Sequence, residues 1–170
     1  MELVSQASFS DAHECVSIPI IAANLHRLIR PEQSQIWAVL HAKDHIHRTR
    51  YLLTAGFLGR LCLSGEIFDL NDQQWGETLA AVRLYDKVKH IIRDGFTEKI
   101  ACTARSYNHP EGYQIVRRTL GNEALLIVHT FEKGGNSPVE EYLEGYQTLD
   151  ALGSDLDGNF QGRVYWLRRG

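Results

Sequence analysis

This sequence has few of the residues that staple, break or anchor a chain. Its 170 residues include one methionine, four prolines and three cysteines. Cys15, Cys62 and Cys102 stand 47 and 40 residues apart, which fits no zinc spacing, and an odd number cannot all pair internally. They read as reduced, buried, structural thiols, and a cytoplasmic address is the expectation. No apolar run nears the roughly 18 residues that cross a bilayer, and no basic stretch precedes an apolar one at the start. The expected chain therefore neither spans a membrane nor carries a secretion signal. Positive charge is not in excess either: 18 Lys and Arg face 21 Asp and Glu, a net charge of −3. That lacks the basic footprint of a nucleic-acid partner. The Gly56-to-Gly59 segment (GFLG) is missing the third glycine and the Lys-Ser/Thr ending of a phosphate loop, and no Gly-x-Ser-x-Gly elbow occurs. No internal repeat or low-complexity tract is present. A neutral ligand such as a sugar remains open.

What is present divides near Gly95. Upstream, short strands and helices alternate, the pattern of an α/β layout. Residues 35–41 (QIWAVLH) and 60–66 (RLCLSGE) read as buried strands, and 49–58 as a helix between them. Residues 71–94 form the clearest element, with Trp75, Leu79, Val82, Tyr85, Val88 and Ile91 or Ile92 at helical spacing. Asn71 and Gln74 are placed for a capping box, and Gly95 for a left-handed stop. Downstream, 112–120 and 123–131 read as a hairpin across Gly121-Asn122, and 146–149 and 163–167 as further strands. The expected second half is an antiparallel sheet or sandwich.

Three clusters carry candidate chemistry. Residues 41–47 (HAKDHIH) bring together His41, Asp44, His45 and His47, but no second pair of ligands completes a metal site, so a solvated or substrate-side loop is the reading and no metal is expected. Residues 8–14 (SFSDAHE) hold Asp11 and Glu14 three apart, one face of a helix. Paired carboxylates are what glycoside hydrolysis uses, yet Ser10, Asp11 and Glu14 equally suit a helix cap. Ser64, Gly65 and Glu66 end an apolar strand, where an α/β barrel sets ligand-facing groups; an ordinary turn is the other reading. Trp37, Trp75 and Trp166 fall on apolar faces, so they are expected to be buried rather than to stack on a sugar.

In order, SFSDAHE, SIPIIAANLHRLI, FLGRLCLSGEIFDLNDQQW and the helix ending IIRDG resemble the C-terminal third of α-galactosidase-like enzymes of glycoside hydrolase family 36. The resemblance covers nearly the whole chain. It implies an α/β part, residues 1–95, made of the last units of a (β/α)8 barrel, followed by an all-β part, residues 96–170, forming a C-terminal antiparallel β-sandwich. It also implies retaining hydrolysis of terminal α-galactosides, with two carboxylates about 5–5.5 Å apart and no cofactor. Asp11 is the acid/base candidate; an alternative match sets that position at Ser8 and makes Asp11 its non-catalytic neighbour. Ser64, Gly65 and Glu66 are the candidates for substrate binding. The family's nucleophile follows a Lys-Trp pair, a tripeptide this sequence does not contain. The chain is therefore expected to be a fragment, inactive alone, that self-associates or needs the missing N-terminal part, with the segments SIPIIAANL and IWAVL as exposed patches. A non-catalytic carbohydrate-binding or assembly module is the alternative.

Overall fold

The computed structural model describes residues 7–8, 15–104 and 106–170. In chain order these form β1 (Ala7–Ser8), α1 (Ile18–Leu25), β2 (Ser34–Leu40), α2 (Ile46–Gly56), β3 (Arg60–Gly65), α3 (Asp72–Asp94), β4 (Phe96–Cys102), β5 (Tyr113–Leu120), β6 (Glu123–Thr130), α4 (Val139–Leu143), β7 (Tyr146–Gly153) and β8 (Gly162–Arg169). Single 3-10 turns precede β2 and α3. Strands β1, β2 and β3 make a parallel sheet in that order. Strands β4 to β8 make one antiparallel sheet, ordered β4-β5-β6-β8-β7.

The architecture is thus a small α/β part and an antiparallel sheet, with helices between them. The expected sandwich is corrected to a single sheet. Its second layer is helical: α2 and α3 pack on one face of the antiparallel strands. On the other face Ile115, Leu126, Val128 and Leu167 are covered by Val139, Tyr142 and Leu143 of α4 and its surroundings. With both apolar faces buried by helices, no second sheet is needed.

Helix α2 is the shared centre. From Tyr51 to Gly56 every residue is buried, a helix apolar all round rather than along one stripe. It packs on β2 and β3 on one side and on β6, β7 and β8 on the other. One cluster accordingly joins Ile36, Ala38, Leu40, Leu52 and Leu53 to Val116, Leu125, Ile127 and Val164, drawing on both sides of Gly95.

The C-terminal end of α2 meets a fully buried guanidinium. Arg118 of β5 donates from Nη1 to the Phe57 carbonyl at 2.6 Å, from Nη2 to the Leu58 carbonyl, and from Nε to Thr97 Oγ1 at 3.0 Å. A helix leaves its last carbonyls without partners and carries partial negative charge there, so a cation answers both demands. Burial pushes Arg118 down to about 9, still charged at neutral pH. His26, its ring 3.4 Å from Arg118 Nη2, is held down to about 3 by burial and by that cation.

Helix α3 begins with the expected capping box of Asn71 and Gln74. Its buried stripe differs from expectation in the first half: Gln74, Thr78, Ala81 and Leu84 face inward, while Trp75 and Val82 are exposed. Gln74 is drawn in because its amide donates to the carbonyls of His41 at 3.1 Å and Asp44 at 2.9 Å. Gly95 ends the helix in an extended conformation, φ −76. A side chain there would strike the Ile91 carbonyl, so close approach explains the glycine, not a left-handed turn.

The patches expected to be exposed are instead buried. Ile18, Ile20, Ala22 and Ala23 lie under α2 and the antiparallel strands, and Ile36, Ala38 and Leu40 face α2. Strand alternation leaves only Gln35, Trp37 and Val39 half-exposed on the other face of β2. Cys15 and Cys62 are half-buried and Cys102 is exposed; all three are free thiols, and the expectation of three buried ones is corrected. No helix among the described residues is long and apolar enough to cross a membrane.

Two measurements check this core. Arg118→Leu leaves two buried carbonyls unpaired and should cost about 3 kcal/mol in chemical denaturation; a loss within 0.5 kcal/mol, roughly the scatter of neutral surface changes, would contradict the capping role. His129 is fully buried beside Tyr51 with neither ring nitrogen hydrogen-bonded, and burial holds it down to about 3. The folded chain keeps it neutral while the unfolded chain protonates it below about 6.5, so stability is complete above 6.5 and falls as pH drops toward 3. Between pH 7 and 5, His129→Leu should lose about 2 kcal/mol less stability than the parent chain.

Candidate functional site

In a parallel sheet the strands end on one side, and the loops after those ends are where α/β folds hold ligands. Here β2 ends at Leu40 and β3 at Gly65, side by side in register, while β1 stops at Ser8 opposite Gln35, near the start of β2. The segments that follow carry the candidate residues: 9–14 after β1, 41–45 after β2 and 66–70 after β3.

The β3 ending is built on one backbone turn. Gly65 has φ +90, and a Cβ there would meet the Leu40 carbonyl. Only glycine takes this conformation without strain. The turn lets the Glu66 amide donate to the Leu40 carbonyl at 2.7 Å, tying the ends of β2 and β3 together. It also aims the Glu66 carboxylate across the edge. Glu66 Oε2 accepts from the Ala42 amide at 3.1 Å and lies 3.5 Å from His41 Nδ1. The carboxylate remains half-exposed, with lone pairs free for hydroxyl donors. Ser64, opposite Val39 in the ladder, lies on the same side of the sheet as Trp37 and Cys62.

The loop after β2 is held rigidly. Asp44 Oδ2 accepts from the His41 amide at 3.0 Å and pairs with Arg48 one turn into α2. Gln74, from α3, closes the loop from below through the two carbonyls already described. His45 caps α2 by accepting from the His47 amide, and the two rings stack at 5.0 Å. His47 in turn reaches Ser154 Oγ at 3.4 Å. These histidines are occupied in building the loop. Among the described residues no group of three or more His, Cys, Asp or Glu could hold a metal ion.

Strand β1 is fixed by the Trp37 indole, which donates to Ser8 Oγ at 2.7 Å. Asp11, Ser10 and Glu14 lie outside the described residues; in sequence, Asp11 comes three positions after the end of β1. The structure therefore brings Ser64, Gly65 and Glu66 together with His41 and Ala42, and places Ser8 on the neighbouring strand.

Two residues beyond Glu66 the surface becomes aromatic. Phe68 is fully exposed and Trp75 is 43% exposed. With Ile67, Leu70 and Asp72 they line a recess of about 250 Å³. The expectation that Trp75 is buried is corrected, for Gln74 takes the inward position beside it; Trp37 and Trp166 are half-buried. Sequence spacing marks His41 as part of a histidine-rich loop and Gln74 as a cap, but it does not single out Phe68. The signal available for Phe68 was its place in the turn between strand and helix, where an apolar side chain has no core to enter.

No protein-family model matches the sequence, and no curated protein matches it. Solved structures do match its fold. Over 95% of the chain it is similar to a GH36 α-galactosidase variant from Geobacillus stearothermophilus in complex with 1-deoxygalactonojirimycin, with TM-score 0.67 and 13% identity. It is likewise similar to the α-galactosidase from Lactobacillus brevis, TM-score 0.66 and 9% identity, and to the galactosidase domain of an α-galactosidase-sucrose kinase, TM-score 0.65 and 10% identity. The chain spans about a quarter of the length of these structures, and the quarter it matches is their C-terminal one. At such identity the likeness is one of fold.

The turn at Gly65 can be tested directly. Gly65→Ala forces a side chain onto the Leu40 carbonyl in a left-handed conformation and should cost about 1–3 kcal/mol. An unchanged denaturation midpoint would contradict the geometry described for Glu66.

Proposed function

We propose that this chain is the C-terminal part of a retaining α-galactosidase-like glycoside hydrolase of family 36, acting on terminal α-galactosides. The observation that carries the reading is the single fold match running through both sheets to the C-terminal quarter of such enzymes. Resemblance of SFSDAHE and LSGEIFDLNDQQW to that family points the same way, independently of the coordinates. In this reading residues 1–95 are the last units of a (β/α)8 barrel and residues 96–170 its C-terminal antiparallel domain. The parallel sheet is a remnant whose remaining strands lie elsewhere. Among the described residues β3 pairs on one side only, and beyond Trp75 the outward face of α3 carries Val82 exposed and Leu79 half-buried, as a unit with absent neighbours would have.

The roles follow from retaining chemistry. One carboxylate attacks the sugar carbon while a second protonates the leaving oxygen, and the second then activates the water that releases the sugar. Asp11, after β1, is the proposed acid/base. Ser64 and Gly65, which end β3, and Glu66, which follows it, are proposed to bind sugar hydroxyls, the Glu66 carboxylate as acceptor. The nucleophile belongs to a Lys-Trp-Asp segment that these 170 residues do not contain. Neighbours of the same fold are seen with raffinose and with stachyose, and α-galactosides of that kind are the proposed substrates. A cytoplasmic enzyme accords with three free thiols.

With one of its two carboxylates missing, the chain alone should not turn over. Purified 170-residue chain should release no nitrophenol from nitrophenyl α-galactoside above buffer. Steady release that disappears in Asp11→Asn would overturn the proposal.

A further inference from the structure

We propose that Phe68 and Trp75 form a platform for a pyranose ring, with the Asp72 carboxylate in the same recess. The inference rests on the saccharide reading of this edge and adds where a ring of the substrate lies. A pyranose has a face of C–H bonds, which suits an aromatic surface, and a rim of hydroxyls, which needs acceptors. The recess supplies both: Phe68 at 101% of its reference exposure, Trp75 at 43%, and the Asp72 carboxylate in the same lining. Concave sites of mainly apolar walls with one or two polar groups are the common form of small-ligand sites. Aromatic faces contribute beyond their area when a ring lies across them.

Placement separates this shelf from the rest of the exposed stripe. Helix α3 starts at the edge where β3 ends, so Trp75, in the first turn of α3, lies at the rim with Phe68. Leu79 and Val82 continue the same face one and two turns farther along, away from the sheet's edge and outside the recess. A partner polypeptide has use for the whole stripe; a sugar ring needs only its rim end, where the carboxylate is. Phe68 follows Glu66 by two residues in the chain, and the carboxylate that a ring on the shelf meets in the recess lining is that of Asp72.

Titration calorimetry of the 170-residue chain with raffinose tests this. Saturable binding is expected, weakened roughly fivefold or more in Phe68→Ala and in Trp75→Ala, and unchanged in Val82→Ser. Circular dichroism confirms that each variant folds, which the exposure of all three side chains favours. No saturable heat with raffinose overturns the platform, as does undiminished affinity in Phe68→Ala. So does a Phe68→Ala chain that binds raffinose normally but has lost self-association in sedimentation, since the shelf is then a protein contact. Hydrolysis of nitrophenyl galactoside by the chain, which would defeat the reading of function, is a separate assay and leaves this outcome as it is.

Discussion

Everything in this chain is arranged around a helix that has no exposed side in its second half. Helix α2 lies between a parallel sheet and an antiparallel one, and a helix so placed cannot satisfy its terminal carbonyls with water. Arg118 resolves the difficulty from the far sheet. A buried guanidinium without a close carboxylate is costly in isolation, but here it answers two carbonyls, a threonine hydroxyl and the negative end of a helix at once. The bond is also a cross-tie, because Phe57 and Leu58 lead directly into β3 while Arg118 belongs to β5. It links the two sheets by geometry as well as by apolar contact.

The candidate edge inherits its rigidity from that arrangement. With α2 held, β2 and β3 are fixed on either side of it in the chain, and their ends present Ala42 and Glu66 at hydrogen-bond distance. Helix α3 adds the second restraint through Gln74, a buried amide that closes the β2 loop. The antiparallel half touches this edge through Ser154, which His47 reaches, and otherwise serves to bury α2 and α3. Such a division, a site on one layer and stability from the next, is how α/β folds keep loops available for chemistry.

Local chemistry was legible in the sequence, and long-range compensation was not. The capping box at Asn71 and Gln74, the hairpin at Gly121-Asn122 and the strand ending at Ser64-Gly65 each depend on a few neighbouring residues, and each is where the spacing puts it. Arg118 could not be read, since alternation along β5 assigns an arginine to solvent; its burial depends on carbonyls about 60 residues earlier. Gln74 was recognised as a cap but not as a core residue, for the same reason, and Trp75 was displaced to the surface in consequence. The single sheet in place of a sandwich follows from α2 and α3 covering a face that strand patterns alone assign to other strands. Asp11 stands apart: its candidacy rests on sequence resemblance and on its position after β1.

On the proposed reading the chain is part of a larger sugar-cleaving enzyme rather than a self-contained domain. On that reading a barrel's remaining units would pair the free side of β3 among the described residues, cover the outward face of α3 beyond Trp75 and supply the second carboxylate. The most direct measurement is the nucleotide sequence upstream of the Met1 codon. A reading frame encoding further strand-helix units, with a Lys-Trp-Asp segment at the end of one strand, is the result this account requires. Upstream sequence with no such frame, together with a chain that is a compact monomer by sedimentation, would contradict it.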